Sequence, residues 1–413
     1  MSRRVAITGL GVVAPNGIGK DAFWEALTKG RSGIRHITSF DPSGFPCRVA
    51  GEVADFDPTA YMSAKEARRM DRSAQFAVAA AKMAVKDARL KIDRQDKRIG
   101  VMIGSAVGGQ GWAFEQYDVF KTKGLFKANP FTAACTFPNA CSSQVSIALG
   151  ITGPSETISS GCVSGSSAIG LAYDMIQQGK VDLMIVGGSE APLNPGVFGA
   201  FCIARVLTKE NGDSPSVPRP FDKRRDGIVL GEGAGILVME NLESARNRKA
   251  HIYAEVLGWA STCDAYSMMT AEPSGSEMKR AIVEALRSAG ARMEEIGLVK
   301  AHGDGSPLND EIEAKVLNEV FGRHVGRLAI TSLKSMIGHT QGASGAIEAV
   351  ASALAIAHGL VPPTINCDVP DFSWNGRPLV TGSAQRRPIN KVLLNAIGFG
   401  GKYVMLVIGK LEG

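Results

Sequence analysis

The sequence predicts an α/β protein made of two similar halves, and three observations carry that expectation. Strand-like runs alternate with helical ones along the whole chain, the pattern of strands buried on both faces by helices. Glycine is over-used, at 48 of 413 residues, without a fibrous period, which marks tight turns and close-packed backbone. Two segments also share an outline: a glycine, one reactive side chain, a second glycine, then an apolar helical run. The first holds Gly161, Cys162 and Gly165 and the second Gly338, His339 and Gly342.

Val5 to Leu10 reads as a first strand, followed by the helical run DAFWEALTKG. Gly9, Gly11 and Ala14 match the spacing of a dinucleotide-binding loop, but Pro15 stands where the phosphate-binding helix should run, so this stretch reads as a tight turn. Lys65 to Leu90 reads as one helix. RIGVMIGSA, VDLMIVGGSE and GILVME follow as strands, and RNRKA near Ala250 divides residues 1–250 from residues 251–413. In the second part, HIYAEVLGWA, LAITS, VLLNAIGFGG and VMLVIG read as strands, and Ser276 is expected to cap a helix with Met278, Ile282, Ala285 and Leu286 at apolar intervals.

A chain 45% hydrophobic and 21% charged has room for a large core, which excludes disorder, collagen and coiled coil. The net charge of +6 suits an acidic partner but falls short of a nucleic-acid footprint, and no basic run of five occurs. The most apolar stretch, Gly342 to Ile365, is interrupted by Glu348 and His358 and reads as a buried helix, so no membrane span is expected. The N-terminus lacks the apolar run of a signal peptide. Seven scattered cysteines without a Cys-x-x-Cys pair give neither a disulfide framework nor a zinc site, and they point to a reducing, cytoplasmic setting.

Three residues could do chemistry. Cys162 precedes an amphipathic helix, where unpaired N–H groups and the helix dipole favour the thiolate. A buried structural cysteine at a glycine turn explains the segment equally well by itself. His302, in VKAHGDGSPLNDEIEA, and His339, in ITSLKSMIGHTQGASGAIEA, both occupy loops between a strand and a helix. Each alone fits a structural role, but with Cys162 they form a set at the strand ends where α/β proteins gather ligands. Metal binding fits less well, because the turns hold no pair at ligand spacing.

Nearly end to end, the sequence resembles the β-ketoacyl-acyl-carrier-protein synthases, condensing enzymes of the thiolase superfamily, including the ketosynthase subunits of type II polyketide systems. RVAITGLGVVAPNG, ITGPSETISSGCVSG, RPFDKRRDGIVLGEGAG, AHGDGSPLNDEIEA, SLKSMIGHTQGASGAIEA and GFGG carry the likeness. It implies a duplicated five-layer αβαβα fold and a decarboxylative Claisen condensation of an acyl-Cys162 enzyme with a malonyl thioester. His302 and His339 would stabilise the enolate, Lys334, paired with Glu348, would orient the histidine region with Asp310 and Glu313, and the backbone N–H groups of Cys162 and Phe399 would form an oxyanion hole. Phe201 matches an acyl-pocket position, and Asp304, Ser306 and Gly400 fall where substrate is held. Lys65, Arg68, Arg69, Lys127 and Arg205 match positions that contact the acidic carrier protein. No cofactor is implied beyond the phosphopantetheine arm of that carrier, and the family forms homodimers or pairs with a chain-length-factor-like sister subunit.

The chain departs from the family at Asp304 and Ser306, where threonines are usual, at Ser267, at Leu333, and at Lys402-Tyr403 after GFGG. These departures favour a specialised fatty-acid or polyketide pathway. They also leave open acyl transfer without decarboxylation, or a non-catalytic carrier-binding subunit. A carboxylate in a narrow tunnel has to be paired or solvated, and two expectations stand level for Asp304: a pair with Lys402, or a carboxylate that points into solvent or caps a nearby turn.

Overall fold

A computed structural model of the chain describes residues 3–212, 216–372, 374, 376 and 378–412. Its spine is a sheet of ten successive strands: β1 (Val5–Ala14), β2 (Ile99–Gly104), β3 (Ser155–Ile158), β4 (Leu183–Glu190), β5 (Gly233–Asn241), β6 (Ala254–Cys263), β7 (Ile296–Lys300), β8 (Ala329–Thr331), β9 (Lys391–Gly398) and β10 (Lys402–Gly409). Seven helices matter for the site: α1 (Arg72–Asp87), α2 (Gln110–Lys123), α3 (Ala140–Leu149), α4 (Ser164–Gln177), α5 (Ser276–Ser288), α6 (Pro307–Phe321) and α7 (Ser344–His358).

The duplication is written in the strand order. The first five strands lie in space as β3-β2-β4-β5-β1 and the second five as β8-β7-β9-β10-β6, the same permutation with five added to each number. Directions repeat too. β2 is parallel to β3 and β4, as β7 is to β8 and β9, whereas β5 and β10 run antiparallel to both their neighbours. The halves join where β1 pairs antiparallel with β6, Val5 to Ile7 facing Val256 to Ala254.

Helices α4 and α7 pack on each other between the two halves of the sheet, α1 and α3 cover the outer face of the first half, and α5 and α6 cover that of the second. The result is the expected αβαβα layering. Both central helices are almost wholly buried, so neither needs the one-sided apolar stripe of a surface helix. Glycine sets their approach: a Cβ on Gly165 would lie 2.7 Å from the Gly342 carbonyl oxygen, and one on Gly345 would overlap the Ser166 hydroxyl at 1.9 Å.

Local expectations need three corrections. Lys65 to Leu90 is two helices, Ala64–Ala67 and α1, because Asp71 stops the first and caps the second by accepting N–H bonds from Ser73 and Ala74 at 2.9 and 3.3 Å. Ser276 is the first residue of α5, preceded by Gly275 at φ +71, and makes no side-chain cap. Gly9 and Gly11 lie inside β1 rather than in a turn, where a Cβ would strike the Ala84 and Ala80 carbonyl oxygens of α1. No described helix is long and apolar enough to cross a membrane.

Candidate active site

One cavity of about 330 Å³ gathers Cys162, Phe201, Arg205, His302, Asp304, Ser306, His339, Phe399 and Gly400. Phe201 comes from the helix Pro195–Ile203 after β4 and Arg205 from just past its end, and the others come from the carboxyl ends of β3, β7, β8 and β9. Repeat symmetry explains the convergence, since Cys162 lies between β3 and α4, and His339 occupies the equivalent place between β8 and α7.

Cys162 is buried, and its thiol donates to the Gln341 side-chain oxygen at 3.2 Å. Burial pushes the thiol up to about 12, against the lowering effect of the Phe399 backbone N–H that faces the sulfur. That direction runs against the thiolate expected from the helix start, because desolvation disfavours the anion. Phe399 also stacks on Phe201, with ring centroids 6.4 Å apart.

His302 is clamped at its backbone and both ring nitrogens. Its N–H donates to Glu313 at 2.8 Å, and its carbonyl accepts from the Lys334 ammonium at 2.7 Å. Lys334 is itself fully buried and paired with Glu348 at 2.6 Å. Its reach to the His302 carbonyl gives it a direct hold on that loop. His302 Nδ1 accepts the Ile397 N–H at 3.3 Å, which leaves the hydrogen on Nε2, and Nε2 faces the Asp304 carboxylate at 3.3 Å.

That contact corrects the expected Asp304–Lys402 pair. Asp304 accepts from the Ser306 N–H at 2.8 Å, the Ser306 hydroxyl at 2.6 Å and Asn309 at 3.3 Å, while Lys402 opens β10 opposite Gly398 and makes no ion pair with it. Local donors in the same loop satisfy the carboxylate before a distant ammonium is needed. Burial opposes its charge, but the hydrogen bonds it accepts from His302 and Ser306 hold it well below the usual carboxylate range. Asp310 binds the Phe221 and Asp304 N–H groups, so it braces the loop.

His339 lies across from His302, with ring centroids 5.2 Å apart. Its Nδ1 accepts the Gln341 N–H at 3.2 Å and contacts the Ser344 hydroxyl at 2.9 Å, again placing the ring hydrogen on Nε2. Burial first, and also the positive charge of Lys334, push its pKa well below the ordinary value, so the ring stays neutral. Donor atoms of His302, Asp304 and His339 come within 4.8 Å of one another, a convergence that sequence spacing hid. Backbone N–H groups at both Nδ1 atoms make both Nε2 atoms hydrogen-bond donors, the opposite of the second shell that metal-ligating histidines use.

Sequence reasoning missed two buried groups here. Glu190, at the end of β4, accepts from Ala106 N–H, Val107 N–H, the Ser105 hydroxyl and Gly342 N–H, so it ties the His339 loop to the β2 end. Burial, opposed by these donors, raises it to about 7. Gln341 gave only one signal, a polar residue next to His339. Of the basic residues, Arg205 lines the cavity mouth, whereas Lys65, Arg68, Arg69 and Lys127 are exposed outside its lining.

Comparison with known proteins agrees with this geometry. Residues 2–245 match the β-ketoacyl synthase N-terminal domain and residues 253–368 its C-terminal domain. The 3-oxoacyl-[acyl-carrier-protein] synthase 2 of Synechocystis sp. is 42% identical over 411 residues, 99% of each chain, and that of Coxiella burnetii is 41% identical over 410 residues, also 99% of each. Among solved structures, the ishigamide ketosynthase/chain length factor superposes with a TM-score of 0.93 at 36% identity, covering 100% of both chains. A type II polyketide ketosynthase, solved with its acyl-carrier protein and bound to a hexaketide, gives 0.91 at 33% identity, also covering 100% of both. With two domain matches that span most of its length and relatives that align over nearly all of it, the chain belongs to the β-ketoacyl synthase family.

Proposed function

We propose that the chain is a 3-oxoacyl-[acyl-carrier-protein] synthase that condenses an acyl-Cys162 enzyme with malonyl-carrier protein. The observation that carries this reading is the meeting of Cys162, His302 and His339 in one cavity, with the Phe399 N–H directed at the sulfur. The Cys162 sulfur attacks the acyl thioester carbon, the carrier's pantetheine sulfur leaves, and the thiol proton passes to it. N–H groups of Cys162 and Phe399 receive the charge that develops on the thioester oxygen. A malonyl thioester then enters. As carbon dioxide leaves, the His302 and His339 Nε2–H groups donate to the enolate oxygen. The enolate carbon attacks the acyl-Cys carbon, the C–S bond breaks, the departing thiolate takes up one proton from solvent, and the 3-oxoacyl thioester departs. Lys334 and Glu313 act as positioning residues through the His302 backbone.

The contact between His302 Nε2 and Asp304 supports a second reading, acyl transfer without decarboxylation, because the carboxylate occupies the donor that a malonyl carbonyl needs. One experiment separates the readings: wild-type enzyme and Cys162→Ala are given acyl- and malonyl-carrier protein, and carbon dioxide, acyl-enzyme and product are followed by intact mass. Carbon dioxide release with a 3-oxoacyl product, absent in Cys162→Ala, is expected. Acylated enzyme without either would overturn condensation in favour of transfer.

Asp304, Ser267 and Lys402-Tyr403 support a specialised pathway rather than bulk fatty-acid synthesis, in the cytoplasm. The exposed Lys65, Arg68, Arg69 and Lys127, with Arg205 at the mouth, suit an acidic carrier protein. Strand β3 supports a dimer with a second copy or a sister subunit. It ends the sheet and is half exposed, whereas its repeat counterpart β8 is buried and capped by the Ile330 and Leu379 bridge. Ile147 is exposed on α3, which packs beside β3, and Tyr117 on α2, Phe126 and Phe137 are exposed in the segment that leads into α3, apolar surface that suits an interface.

A further inference from the structure

The least satisfied polar group in the site is the Gln341 amide. Gln341 is buried, lines the cavity, and holds a left-handed backbone at φ +46, a conformation that glycine adopts freely and glutamine does not. Its oxygen accepts the Cys162 thiol hydrogen at 3.2 Å. Its Nε2 is buried without a hydrogen-bond partner among the described residues.

Acylation makes this worse. A thioester sulfur carries no hydrogen, so once Cys162 is loaded the Gln341 oxygen loses its only donor while Nε2 still has no acceptor. Both ends of a buried amide that lines the cavity are then unpaired beside the acylated sulfur. A hydrocarbon chain leaves both unsatisfied, which is unfavourable for buried polar atoms. An oxygen on the chain close to the thioester accepts from Nε2, and if it is a hydroxyl it also donates to Oε1.

We infer that Gln341 is a specificity-determining residue that selects acyl chains bearing a hydrogen-bonding oxygen next to the thioester, 3-oxo or 3-hydroxy chains over saturated ones. This rests on the condensing-enzyme reading above and deepens it. Discrimination against a partner that leaves buried polar groups unpaired is the strong kind of selectivity, because the site rather than the ligand is left unsatisfied.

The test loads the enzyme from hexanoyl-, 3-oxohexanoyl- and 3-hydroxyhexanoyl-carrier protein and follows acyl-Cys162 formation by intact mass, before any malonyl thioester is added. Wild type is expected to acylate with the oxygenated chains at a kcat/KM about tenfold or more above hexanoyl, and Gln341→Leu to bring that ratio close to one. Equal rates in wild type overturn the inference without any variant, as does a wild-type preference that survives in Gln341→Leu. Gln341→Met serves as a second variant if leucine disturbs the fold. Acylation with the expected preference but no later condensation would overturn the condensing reading and leave Gln341's role standing.

Discussion

His302 and His339 have the same tautomer, set by backbone N–H groups, yet different neighbours on Nε2. Removing either ring deletes one donor to the enolate oxygen, a loss of roughly 10²-fold or more in decarboxylation, while acylation of Cys162 persists. Carbon dioxide release and intact mass, measured on His302→Ala and His339→Ala, separate the two steps. A variant that decarboxylates at the wild-type rate takes that histidine out of the mechanism. Asp304 holds the His302 donor at 3.3 Å, so Asp304→Asn, which keeps the size and removes the charge, should raise malonyl decarboxylation by about tenfold, the scale of one charge-assisted hydrogen bond. An unchanged rate would mean that the carboxylate swings aside freely. At this scale the sequence was a good guide to which side chains meet in the cavity and a poor one to their partners. Cys162, His302 and His339 stand in glycine-bracketed loops that can be read directly. Asp304's local donors and the Gln341 contact depend on how loops fold onto one another, which spacing does not encode.

Among the strands, β7 carries an unusual burden at its end. Lys300 is fully buried, and its ammonium has no hydrogen-bond partner. Burial lowers it to about 7, opposed by the Glu348 carboxylate and helped by Lys334. In the unfolded chain a lysine titrates near 10.4, so between about pH 7 and 10 the unfolded state binds the extra proton and stability rises with pH. Below pH 7 both states are protonated and the penalty is complete. Lys300→Met should therefore stabilise the fold by about 2–4 kcal/mol at pH 6, with the gain shrinking toward pH 10. Urea unfolding of both proteins at pH 6 and 9 checks this, and a gain that does not change with pH would remove Lys300 as its source. Strand positions were readable here because buried apolar runs such as VMLVIG leave few alternatives. Helix ends were less readable. Asp71 and Gly275 end or begin helices inside stretches whose apolar spacing continues through them, and only the cap geometry separates Ala64–Ala67 from α1.

For the whole molecule, the open β3 edge and its apolar surround predict association. Replacing Ile147, exposed on α3, by aspartate should shift the protein from dimer to monomer in sedimentation velocity, with the fold unchanged by circular dichroism. A dimer that persists moves the interface elsewhere. Two similar halves were foreseeable from the doubled glycine outline and the five layers from the family resemblance, although the repetition of strand order was not, since pairing between distant strands leaves no local trace. That repetition carries a further consequence. On the proposed condensing reading, the first half holds the atom that stores the acyl chain and the second half holds the donors that meet the extender unit, and the halves are joined at the seam between β1 and β6. Because that seam is itself a run of paired strands, the two workstations are welded rather than hinged, and timing between loading and extension has to come from the small loops at the strand ends, not from motion of the halves.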